Sequence, residues 1–173
     1  MDWCYAAASV VGLSHIRAGT RLQDARHCFV FGEKGDRRLF AVIADGAGSA
    51  EFGGQGGSII CRTVGSEARS AFHDAGSLPD NGAIWSWLDI ARDRIQLAAS
   101  RRERTPRDFA ATLVLVMASR DEVVTAHVGD GAIVARDIST LRSTRRRLET
   151  GHGRDDVTLA DERASQRGTQ TST

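Results

Sequence analysis

The chain has 173 residues, 41% of them hydrophobic and 26% charged, which is the composition of one ordinary globular domain with enough apolar material for a core. Basic and acidic residues nearly cancel at a formal net charge of +1. That balance excludes recruitment of nucleic acid or an anionic membrane by overall charge, so any anion must be held locally. The opening MDWCYAAASVVG has an acid at its second position and no basic stretch before an apolar run, unlike a secretory signal. No run of about 18 apolar residues exists, so no transmembrane helix is expected, and the expected compartment is the cytoplasm.

In chain order, WCYAAASVVGLSH reads as a strand, and RHCFVFGEKGDRRLFAVIADG as two strands joined at a Gly-Asp turn. From about residue 54 to 75 the apolar period changes, with Ile60, Val64, Ala68 and Ala71 on one helical face. GSLPDNG interrupts the pattern, and a second helix follows over residues 83 to 102, where Ile84, Leu88, Ala91, Ile95 and Ala98 recur at spacings of three and four. FAATLVLVMAS, EVVTAHVGD and GAIVAR then read as strands. Beyond Arg136 large apolar residues are few and arginines many, so residues 1–136 form the domain and residues 137–173 are expected to be a poorly ordered, solvated tail.

Glycines crowd the stretch LFAVIADGAGSAEFGGQGG, a strand ending on Asp45. A phosphate-cradling loop would need GxxxxGK[ST], which is absent, and a dinucleotide fold would need a second parallel strand where a second helix stands, so nucleotide binding is the third reading. Alternatively Asp45 is the functional group, its oxygens left unobstructed by the glycines and joined by the Gly46 carbonyl around a hard cation. An Asp-Gly pair can equally be just a turn. Asp24 in RLQDA and Asp130 in VTAHVGDGAIV also lie in loops beside strands, and three such carboxylates suit magnesium or manganese rather than zinc. Cys4, Cys28 and Cys61 form no CxxC pair, and the residues six positions after them are Val10, Lys34 and Glu67 rather than the arginine of a cysteine phosphatase. They read as small apolar residues.

GTRLQDA, LFAVIADGAGSAEFGGQGG, DFAATLVLVMA and VTAHVGDGAIV occur in the order and approximate spacing of the metal-dependent protein phosphatases of type 2C, and residues 5 to 136 resemble a bacterial branch of that family. The resemblance implies an α+β fold, a four-layer α-β-β-α sandwich of two antiparallel sheets flanked by helix pairs, here incomplete at the C-terminus. It also implies hydrolysis of phosphoserine and phosphothreonine proteins at a centre of two manganese or magnesium ions, with a kinase as a further partner and no nucleic acid or membrane. On that resemblance Asp45 bridges both ions, Gly46 lends its carbonyl, Asp24 holds metal-bound water, Asp130 matches a weaker third site, and Asp155 in GRDDVTLA matches a C-terminal ligand.

Departures from the family pattern are equally specific. Ala47 stands where many relatives carry a proton-donating histidine, and Gly19 where many carry a phosphate-binding arginine, leaving Arg17, Arg21 or His15 as substitutes. His15 also reads as a structural hydrogen-bonding residue. No Asp-Gly motif precedes Asp155 after Arg136, so a phosphatase-like binding or regulatory module with impaired catalysis is the alternative reading.

Overall fold

In RLFAVIA the side chains alternate between two environments, and the strand Arg38–Ala44 (β2) buries Phe40, Val42 and Ala44 on one side while Ile43 on the other is half exposed. This strand lies inside an antiparallel sheet in the computed structural model, which describes residues 3–74, 78–136, 143–144 and 157–163. It pairs with Ala25–Phe31 (β1) and with Leu113–Ala118 (β3). Beyond β3 come Glu122–Val128 (β4) and an edge strand drawn from the arginine-rich segment, to complete five strands. A second, two-residue pairing joins Ala135–Arg136 (β5) to Ser143–Thr144 (β6), and the edge strand Val157–Arg163 is β7.

The β1–β2 turn contains Gly35 at φ 99°, and Asp36 N–H donates to the Glu33 carbonyl at 3.0 Å, as the Gly-Asp pair leads one to expect. Between β3 and β4 the chain turns through Arg120 and Asp121, with Ser119 N–H donating to the Glu122 carbonyl at 2.8 Å.

The first expected strand is absent. Residues 3–12 have no regular structure, and Leu13–Ala18 (α1) is a six-residue helix stopped by Gly19 in the left-handed region at φ 64°. The alanines and serine of this run offer little side chain to bury, so apolar continuity is no guide to sheet pairing here. Its ties to β1 include Tyr5 Oη donating to the Cys28 carbonyl at 3.0 Å and Arg26 donating to Ser9 Oγ at 2.7 Å. The expected strand GAIVAR also shrinks to the two residues of β5.

Two long helices occupy the excursion between β2 and β3. Gly53–Asp74 (α2) lays Ile60, Val64, Ala68 and Phe72 onto the sheet, and Asn81–Ser100 (α3) packs beside it with Ile84, Trp87, Leu88 and Ala91 buried. Asp80 caps α3 by accepting Ala83 N–H at 2.8 Å. The architecture is therefore α+β, and the described residues supply one five-stranded sheet with a helix pair on one face, beside the two-stranded β5–β6 pairing. Cys61 lies in this core, its thiol pushed up to about 12 by burial, and Cys28 is raised by burial as well, which disfavours the thiolate at both. Among the described residues no helix is long and apolar enough to cross a membrane.

Leu115 is fully buried between Val42 and Ala126 on neighbouring strands. Leu115→Ala is expected to cost about 2–5 kcal/mol in urea denaturation. Leu97→Ala, on the half-exposed side of α3, is expected to stay within about 0.5 kcal/mol.

Candidate metal-binding site

Antiparallel pairing brings one end of each strand to the same side. Ala25 opens β1 opposite Ala44 at the close of β2, and Leu113 opens β3 opposite Val128 at the close of β4. Asp24, Asp45 and Asp130 are therefore carried at one end of the sheet.

Two neighbouring segments clamp the main chain around Asp45. Its N–H donates to Thr112 Oγ1 at 3.1 Å and its carbonyl accepts Thr112 N–H at 2.8 Å. Ala47 N–H donates to the Ala110 carbonyl at 2.9 Å, and Gly46 N–H donates to the Gln23 carbonyl at 3.3 Å. Among the described residues the Gly46 carbonyl accepts no backbone hydrogen bond.

The glycines permit a close approach of main chain to main chain. A Cβ on Gly46 would collide with the Gly53 and Gly54 backbone, and one on Gly56 would collide with the Phe109 carbonyl. They let the first turns of α2 press against the loop after β2 and against the short 3-10 helix Pro106–Phe109. Phe52, stacked on Phe109 at 5.1 Å between centroids, donates its N–H to the Asp108 carbonyl at 2.7 Å. Asp108 is fixed in turn, since its carboxylate accepts Thr105 N–H and Oγ1–H at 2.9 Å each. These bonds hold the Asp108 carboxyl below the usual aspartate value.

Asp45 shows the opposite shift. Partial burial raises its carboxyl above the usual range, a hydrogen bond with Asp24 and the negative charges of Asp24 and Asp130 add to the rise, and the charge of His15 opposes it. The negative charges of Asp24 and Asp45 thus bear on one another, an arrangement that a divalent cation would relieve. Gln23 Oε1, from the residue before Asp24, is buried with no hydrogen-bond partner. These donors are all oxygens, which fits a hard cation. Among the described residues no three His, Cys, Asp or Glu side chains are grouped as a metal site, and Asp130 bears on Asp45 through its charge. Asp155 lies outside the described residues.

Of the three basic candidates, His15 is the one whose charge bears on Asp45, and its Nδ1 lies 2.8 Å from Thr20 Oγ1. It is thus a hydrogen-bonded residue of α1 and a neighbour of the carboxylates together. Arg17 and Arg21 are exposed. Thr112 and Gln23, which fix the loop, carry no sequence signal except their place in DFAATLV and RLQDA.

The sheet end thus gathers two carboxylates, Asp24 and Asp45, and a carbonyl, that of Gly46, which accepts no backbone hydrogen bond among the described residues. The sequence profile of the family described as Protein phosphatase 2C matches residues 11–162, and the chain belongs to that family. It is 32% identical over 136 residues to serine/threonine-protein phosphatase 3 of Escherichia coli (strain K12), an alignment covering 78% of this chain and 53% of that protein. The chain thus spans about half the length of the curated relative it matches. Among solved structures, a bacterial serine phosphatase shares 19% identity at a TM-score of 0.44, over 74% of this chain and 50% of that one. The phosphatase domain of the cell fate determinant SpoIIE from Bacillus subtilis shares 19% at 0.40, over 85% and 57%.

Gly56→Ala is expected to destabilise the fold by about 1–3 kcal/mol in urea denaturation, because helix backbone and carbonyl must separate. Asp108 contributes stability only while ionised, since its carboxyl is lowered on folding. The Tm advantage of the wild type over Asp108→Asn is therefore present above the ordinary aspartate value of 3.8 and disappears as pH falls through the folded value, in thermal melts between pH 7 and 2.

Proposed function

We propose that this chain is a metal-dependent phosphoserine and phosphothreonine protein phosphatase domain acting through manganese or magnesium. The observation that carries the reading is the placement of Asp24 and Asp45 at one end of the sheet beside the Gly46 carbonyl, in a chain of this family. Asp45 and Gly46 would hold the cation, with Asp24 beside them. When bound, the cation supplies Lewis-acid activation of water and neutralises charge on the phosphoryl oxygens. The chain's own groups do the positioning. Thr112 and Ala110 fix the backbone of the loop, so the Asp45 carboxylate and the Gly46 carbonyl are oriented before a ligand arrives. His15, with Nδ1 against Thr20, and the exposed Arg17 and Arg21 are the groups available to orient a phosphate. With Ala47 in place of a histidine, the proton for the leaving serine or threonine oxygen comes from solvent. A phosphorylated protein and its kinase are the partners, and the cytoplasm the location, on this reading.

The second reading is a phosphatase-like binding or regulatory module. It is favoured by the absence, among the described residues, of a third carboxylate grouped with Asp24 and Asp45. Manganese-dependent hydrolysis of para-nitrophenyl phosphate separates the two. The phosphatase reading expects turnover that Asp45→Ala lowers by roughly 10²–10³-fold, the equivalent of several kcal/mol of charge stabilisation. Manganese binding by calorimetry without turnover selects the module, and turnover unchanged in Asp45→Ala removes both.

A further inference from the structure

The corner between α3 and the 3-10 helix, RRERTPRD, carries four arginines that the catalytic reading leaves unused. The helix ends there in a tight reversal, with Arg104 N–H donating back to the Ala99 carbonyl at 3.0 Å and Glu103 N–H to the Ser100 carbonyl at 3.2 Å. Glu103 takes the left-handed position of that reversal at φ 54°, a place glycine usually fills. The corner thus has one defined shape.

Two of the four guanidinium groups have partners. Arg104 Nε lies 3.1 Å from Glu51 Oε2, and Arg102 sits over the Phe52 and Phe109 rings at 5.4 and 5.9 Å. Arg101 and Arg107 are exposed, and among the described residues no carboxylate pairs with either. Arg101 caps the C-terminus of α3, and Arg107 lies in the short 3-10 helix Pro106–Phe109. Asp108, whose carboxylate accepts from Thr105, and Glu103 offset part of the charge, and the RRERTPRD stretch keeps a net charge of +2.

This corner is joined to the loop that carries Asp45. Phe52 N–H bonds to the Asp108 carbonyl, and Ala47 N–H to the Ala110 carbonyl. These two bonds attach the corner to the loop at the second and seventh residues after Asp45.

We propose that the Arg101–Arg107 corner is a docking surface for an acidic segment of the protein substrate, so that phosphorylated sites flanked by glutamate or aspartate are preferred. The inference rests on the phosphatase reading for its substrate, and on charge complementarity for its partner. A nucleic acid is disfavoured, because the two rings of the corner, Phe52 and Phe109, are stacked on one another and covered by Arg102, which leaves no ring surface for a base.

The test uses the full chain and a short fluorescein-labelled glutamate-rich peptide without phosphate, followed by anisotropy. Binding is expected to weaken with added salt, and Arg101→Glu/Arg107→Glu to weaken it roughly tenfold, from paired charges each worth up to about 1 kcal/mol. Arg101→Gln/Arg107→Gln, which removes charge without reversing it, is expected to give a smaller loss in the same direction. In hydrolysis, kcat/KM for a phosphopeptide with glutamates beside phosphoserine should fall toward that of a lysine-flanked one in the reversed variant, while para-nitrophenyl phosphate turnover stays unchanged. Equal peptide binding by wild type and both variants overturns the proposal, as does tighter binding of a charge-matched single-stranded oligonucleotide. Acidic-peptide binding lost in the variants of a chain that hydrolyses nothing supports the docking surface while removing the phosphatase reading. Hydrolysis indifferent to flanking charge removes the docking surface alone.

Discussion

Everything at the candidate site depends on the reciprocal pair of hydrogen bonds between Asp45 and Thr112. They continue the β2–β3 pairing one step past the end of the sheet, to a point where the side chain no longer has to pack in the core. A carboxylate there is both exposed and fixed. Gln23 and Ala110 add ties from either side, so the loop is held by main-chain bonds rather than by the groups that would touch a ligand. This division lets the site keep unpaired oxygens without loosening the backbone that presents them.

Gathering like charge has a thermodynamic consequence. Asp24 and Asp130 both disfavour ionisation of Asp45, and the described surroundings offer His15 as the opposing charge. A domain that places acids this way is less stable than it could be without a cation, and binding one returns that stability by linkage. The basic corner beyond Phe52 stands in contrast, with its arginines spread over an exposed reversal where water screens them.

Much of the fold was legible from patterning. LFAVIA marks β2, whose Phe40, Val42 and Ala44 face the helices while Ile43 on the other side is half exposed, and the three-and-four spacing from Ile84 to Ile95 survives as the buried side of α3. The failures have equally local causes. WCYAAASVVGLSH is apolar but small, and composition alone does not distinguish a strand from an irregular segment tied down by Tyr5 and Arg26. The glycines after Asp45 were legible as a requirement for close approach, but what approaches, the Phe109 carbonyl and the first turn of α2, is set by tertiary packing. Asp24 and Asp45 could be picked out because a carboxylate at a strand end is conspicuous. Thr112 and Gln23 act through backbone and buried atoms that no residue type announces.

The strand order carries one more implication, for how the molecule comes together in time. β1 with β2 and β3 with β4 are neighbours along the chain and can zip as local hairpins, whereas the central β2–β3 pairing must wait until the whole α2–α3 excursion has been closed. Asp45 and Thr112 meet only at that closure. The β1–β2 hairpin alone carries Asp24, Asp45 and Gly46, but the Thr112 and Ala110 bonds that fix their loop arrive only with the completed sheet.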